Sequence, residues 1–296
     1  MTTQRTVPTD LGLRRYDAAA AKTAQLVLGE YSTSFGWATR LLARQMRPHI
    51  ANVYGLVRIA DEIVDGPAHA AGLDVTARAR LLDALEAEVA AAREAGYSSN
   101  LIVHAFAHTA NLFGIDERLT APFFASMRAD LSLVSCTQQE FDSYVYGSAE
   151  VVGLMCLKVF LAGEPVEPVR LARLEAGARR LGAAFQKINF LRDLGEDVRE
   201  LGRSYFPNVP DGRLDEAAKA QITASIRDDL RVAHESVPSL PVGARAAVLT
   251  ALRLFEELTD RIERTPAALV IEQRIRVPDH VKARIVALAV IEGRRR

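Results

Sequence analysis

The stretch 48–66, PHIANVYGLVRIADEIVDG, decides how this chain is read. Pro48 suits the first turn of a helix, and Gly66-Pro67 suits the end of one. At about 100° per residue, a helix over 48–65 brings Tyr54, Arg58, Asp61 and Asp65 within about 60° of one another. They make one narrow polar stripe. Almost everything else is apolar, including Ile50, Val53, Leu56, Ile59 and Ile63. A surface helix carries a broad polar face. This one reads as buried nearly all round, with a charged line turned toward something polar. Two readings stand. Arg58 and Asp61, three apart, are spaced for a surface ion pair contributing roughly 0.3 kcal/mol. Alternatively the stripe is a site, because charges taken out of water need a ligand, a metal or a counter-charge. Glu62 points about 100° away from Asp61 and is left out of the set.

The 296 residues suffice for one large domain or two small ones, and 49% apolar content excludes disorder as the main state. Lys plus Arg equals Asp plus Glu at 37 each. That balance argues against a nucleic-acid-binding surface, which would show as basic excess, and leaves room for a local basic pocket. Cys136 and Cys156 are the two cysteines and form no C-x-x-C. A disulfide framework is not expected, and a reducing, cytoplasmic setting is. The N-terminal MTTQRTVPTDLGLRRYD lacks the apolar core of a signal peptide. The longest apolar run, VVGLMCLKVFLAG at 151–163, is short for a bilayer and contains Lys158. The expectation is a cytoplasmic protein that at most lies peripherally on a membrane.

Ala, Leu, Arg and Glu dominate, and apolar residues recur at spacings of three and four. Helices are expected near 17–30, 33–46, 48–65, 76–95, 98–113, 117–132, 138–162, 168–200, 213–236, 241–264 and 278–292. There is no alternating strand run, fixed repeat or long polar linker. The expected architecture is all-α: a flexible tail over 1–16 and a single helical-bundle domain over 17–296. Dinucleotide, P-loop, nucleophile-elbow and zincin motifs are absent. His104 and His108 are four apart, a spacing that suits zinc, but no third ligand accompanies them.

The segment 181–207, LGAAFQKINFLRDLGEDVRELGRSYFP, repeats the oddity of the opening stretch. Gln186, Asn189, Asp193 and Asp197 fall within about 80° on one helix. A solvated face is again the plain alternative, yet amides inside an apolar helix need partners. One-turn carboxylate pairs suit Mg²⁺, which takes oxygen ligands and shares them with substrate phosphates. Two such pairs, with Arg58, Lys187, Arg192 and Arg203 nearby, point to a metal–diphosphate clamp.

At these residues the sequence resembles the squalene/phytoene synthase family, the head-to-head prenyl transferases. YSTSFGWATRLL (31–42) is similar to the family's opening helix, YGLVRIADEIVD (54–65) to its first aspartate-rich motif, and YVYGSAEVVGLM (144–155) to its central channel segment. FQKINFLRDLGEDVRELGRSYFP (185–207) is close to the second signature. The likeness runs from about Tyr31 through that signature and more weakly to about Arg284. Within the family, GSAEVVGLMCLKVF (147–160) looks most like bacterial phytoene synthases. Glu150-Val151 and Phe255 depart from the pattern and bear on the far end of the channel.

The resemblance implies an isoprenoid-synthase bundle with a central substrate cavity. It implies Mg²⁺, with Mn²⁺ as the substitute ion, on Asp61, Asp65, Asn189, Asp193 and Asp197. Those four aspartates, with Arg58 and Tyr144, would be the catalytic set. Tyr31, Ser32, Phe35, Tyr54, Arg58, Gly153, Gln186, Asn189, Arg192, Arg203 and Tyr205 would meet substrate. The implied substrates are prenyl diphosphates, two geranylgeranyl diphosphates for phytoene, with no NADPH for that product. Squalene, dehydrosqualene or presqualene diphosphate from farnesyl diphosphate is the alternative, and a non-catalytic lipid-binding relative is a more distant one.

Overall fold

The computed structural model describes residues 9–132, 136–196, 198–199, 204–209 and 212–293, apart from the side chains of 9–10 and 33–35. Among these residues the chain is helix joined by short turns. In order the helices are α1 (Thr9–Tyr31), α2 (Thr33–Arg40), α3 (Arg47–Val64), α4 (Pro67–Ala70), α5 (Val75–Ala95), α6 (Leu101–Phe113) and α7 (Glu117–Asp130). Then come α8 (Gln138–Val145), a π turn (Tyr146–Glu150) and α9 (Val151–Leu161). The last are α10 (Pro168–Glu196), α11 (Glu216–Ser236), α12 (Val242–Arg264), α13 (Ala267–Glu272) and α14 (Asp279–Gly293).

Local chemistry sets the boundaries. Asp74, Asn100, Asp116 and Asp215 each accept a backbone N–H at a helix start, and Thr137 and Glu140 cap α8 reciprocally. Gly96 and Gly114 close α5 and α6 in the left-handed conformation. Two expectations are corrected. Residues 9–16, expected in the tail, are helical, because the Tyr16 hydroxyl donates to Ser98 O at 2.9 Å and its ring packs on Tyr97 and His104. The helix expected over 33–46 stops at Arg40, and Ala43 N–H instead donates to Gly243 O across the bundle.

The buried apolar residues do not fuse into one core. One large cluster joins α10, α11, α12, α13 and α14, and another joins α3, α5, α6 and α7. The helix Gln138–Leu161 feeds both, giving Tyr144, Leu157 and Leu161 to the first and Val151 and Met155 to the second. By length and composition this helix could cross a membrane, longer than the apolar run alone suggested. Of its most apolar window 56% is buried inside the fold, which is the pattern of a central core helix.

Candidate active site

The first acidic stripe is where the sequence places it, along α3. Arg58 Nη1 donates to Asp61 Oδ2 at 2.6 Å, and the other amino nitrogen pairs with Glu62. Glu62, set aside on angular grounds, is thus part of the cluster: an i,i+4 arginine fork spans the angle. The guanidinium also lies over the Tyr31 ring, 4.4 Å from its centre. Tyr54 and Ser32 share a side-chain hydrogen bond. The end of α1 is therefore tied to the stripe by two contacts. The Phe35 side chain lies outside the described residues.

Asp61 is half-buried, its side chain 36% exposed. Even so, burial pushes its carboxyl from 3.8 up to about 6, with Asp65 and Glu62 raising it and Arg58 opposing them. The Cys156 thiol behaves alike: half-buried by area, yet driven up to about 12 by burial. Both groups are partly exposed at the surface yet crowded by protein around them.

Tyr144, on α8, is buried. Its hydroxyl donates to Asp130 Oδ2 at 2.5 Å and is raised well above the usual phenol value by burial, then by the charges of Asp130 and Asp65. Its ring packs on Phe190 of α10, at 5.6 Å between centres, one residue from Asn189. So Asp65, at the end of α3, acts on a phenol whose ring is held by α10. Asp130, 1% exposed, was not singled out from sequence, where it is one acid at a helix end. Its role depends on a partner 14 residues away and another 75 away.

On α10, Gln186 and Asn189 are half-buried and make no side-chain hydrogen bond to another described residue. Arg192 holds Asp193 through two bonds of 2.8 and 2.5 Å. Arg274, from the stretch after α13, reaches the same carboxylate at 3.2 Å. This contact was invisible in sequence because it joins residues 81 positions apart, in a segment without periodicity. Asp197 and Arg203 lie outside the described residues.

Three expectations change. Tyr205 is 5% exposed, donates to Asp130 Oδ1 at 3.0 Å and stacks on Phe190 at 3.8 Å, so it anchors the loop and does not meet phosphate. Gly153 is a packing residue: a Cβ there would collide with the carbonyl oxygen of Ala178 on α10. Lys187 is spent on buried Asp229, at 2.7 Å, and on Ser225. Likewise His104 is bound to Asp17 and to the Ser98 amide, which leaves it no zinc role.

Among the described residues no three His, Cys, Asp or Glu side chains converge on one point. The donor set nevertheless fits a hard dication. It is carboxylate and amide oxygen, and Asp61 is crowded by acids whose repulsion a cation would relieve.

The family model for squalene/phytoene synthase matches residues 28–209. A phytoene synthase of Arthrospira platensis is 30% identical over 290 residues, covering 90% of this chain and 91% of its own. Phytoene synthase 3 of Zea mays, chloroplastic, is 31% identical over 275 residues, covering 87% of this chain and 61% of the plant protein. Among solved structures, a dehydrosqualene synthase superposes with a TM-score of 0.74 at 19% identity, covering 94% of this chain and 98% of that one. A squalene synthase from Alicyclobacillus acidocaldarius gives 0.70 at 19% identity, over 87% and 96%. These structures share the all-helical isoprenoid-synthase fold.

Proposed function

The chain belongs to the squalene/phytoene synthase family and is a prenyltransferase of the head-to-head type, and we propose that it joins two geranylgeranyl diphosphates into phytoene. The observation that carries the reading is the Arg58–Asp61 pair, with the Tyr31 ring against the guanidinium and Asp65 close enough to act on the Tyr144 phenol. The full-length likeness to a phytoene synthase favours the C20 substrate over farnesyl diphosphate.

Asp61, Asp65, Asn189, Asp193 and Asp197 would hold Mg²⁺, or Mn²⁺ in its place. Bound there, the ion supplies Lewis acidity to the diphosphate leaving group. The remaining work belongs to the side chains. Arg58 meets the departing phosphate charge, and Arg192 and Arg274 exchange Asp193 for phosphate oxygens. The C–O bond of the first substrate breaks, and the allylic cation alkylates the double bond of the second. Proton loss then closes the cyclopropyl diphosphate. A second ionisation, rearrangement and proton loss give phytoene, and two diphosphates are released. No electron pair is donated from outside, so NADPH is not needed.

The apolar walls keep water from the cations. The half-buried Val152, Leu154 and Phe160 of α9 and Phe255 of α12 would bound the lipid channel. Phe255 meets Phe185 edge-on at 4.3 Å, which narrows the α12 side. Tyr144 offers its oxygen as an acceptor, because its proton is committed to Asp130.

Asp61→Asn and Asp193→Asn should each lower turnover at least about 100-fold while leaving the helical circular-dichroism signal intact. Wild-type turnover in either variant would remove the clamp from the account.

A further inference from the structure

Three segments distant in sequence meet at one corner of the bundle. Ala43, just after α2, donates its amide to Gly243 O at 2.8 Å. At the same place a Cβ on Gly293, the last residue of α14, would lie 2.9 Å from the backbone of Ala246. The end of α2, the start of α12 and the end of α14 therefore share one surface.

Its charge is lopsided in a chain of 37 basic and 37 acidic residues. Residues 37–47 contain Arg40, Arg44 and Arg47 and no acid, and 241–253 contain two arginines and no acid. Glu292, the acid of α14 nearest this corner, is ion-paired with Arg253. Arg40 and Arg44 are exposed and have no ion pair among the described residues. Large apolar groups of the same three segments are also in the open: Trp37 is 41% exposed, Val242 64%, Leu288 48% and Ile291 58%. Beyond Arg284 the exposed positions of α14 are Ala287, Leu288 and Ile291, where a surface helix would be polar.

We infer that this corner docks the protein on an anionic lipid bilayer. Trp37, Val242, Leu288 and Ile291 enter the interfacial layer, and Arg40 and Arg44 meet headgroup phosphates. Tryptophan and aliphatic groups fringed by arginine are the chemistry that binds such an interface. The corner also adjoins the candidate site: α2 follows directly on Ser32, which is bonded to Tyr54. A lipid substrate and product would then travel a short way, although the inference rests on the surface and not on the reaction.

Trp37 is the one tryptophan in the chain, so its fluorescence reports on this corner directly. The full chain is mixed with vesicles of phosphatidylcholine alone or of phosphatidylcholine with phosphatidylglycerol. Blue-shifted Trp37 emission and co-sedimentation are expected with the phosphatidylglycerol vesicles, weakening as salt rises. Inorganic diphosphate without vesicles should leave the emission unchanged. Arg40→Glu with Arg44→Glu should weaken vesicle binding by roughly thirtyfold at an unchanged helical signal. Ile291→Ser supplies an independent apolar variant, also expected to weaken it. Absence of binding to either vesicle, or binding that ignores both variants, overturns the inference. So does a concentration-dependent dimer whose formation alone shifts the emission, which assigns the face to a second copy.

Discussion

The Asp61 carboxyl serves two opposed demands. In the proposed clamp it must be charged to hold a cation, yet its surroundings raise it from 3.8 to about 6. A raised acid binds its proton more tightly in the folded chain than in the unfolded one. Stability of the metal-free protein therefore falls as pH rises from about 4 to about 6, and the penalty persists at pH 7. Asp61→Asn carries no such penalty. With solvent screening at a one-third-exposed side chain allowed for, it should stabilise the metal-free protein by about 1 kcal/mol at pH 7. That is a rise of about 2 °C in Tm, absent at pH 4. Thermal melts at both pH values check this; a variant less stable than wild type at pH 7 contradicts it. The stripe itself was legible, because a helix converts spacing into angle. Asp130 and Arg274 were not, since each acts through partners far along the chain.

Helix-to-helix contact is close where the central helix crosses α10. Gly153 lies on the carbonyl of Ala178, and Gly182 on that of Ala149. The π turn at Tyr146–Glu150 falls in the same crossing, and Gly147 there abuts Pro122 O and Ser126 of α7. Because backbone rather than a flexible side chain fills the space, a larger residue has nowhere to go. Gly153→Val should cost about 3 kcal/mol, read as a lower urea midpoint with an unchanged slope. An unchanged midpoint would return Gly153 to the channel wall. Most helices could be read from their periodicity and caps such as Asp74, Asn100 and Asp116. The π turn could not, because YGSAE carries no spacing or cap that marks one. Nor could the early start of α1, which hangs on Tyr16 reaching Ser98.

At the scale of the whole molecule, the two largest apolar cores share one central helix. Balanced net charge and all-helical composition announced the class of fold but not this split, which depends on which faces meet. The acidic stripes sit on helices of different cores, α3 in one and α10 in the other, and Tyr144 feels the Asp65 charge while its ring packs on Phe190. The proposed reaction needs a long lipid whose diphosphate is held at both stripes. Incubating the purified protein with geranylgeranyl diphosphate and Mg²⁺, and in parallel with farnesyl diphosphate with and without NADPH, tests this most directly. The account predicts a C40 hydrocarbon, phytoene, from the first mixture without NADPH. A C30 hydrocarbon from farnesyl diphosphate with no C40 product would contradict it.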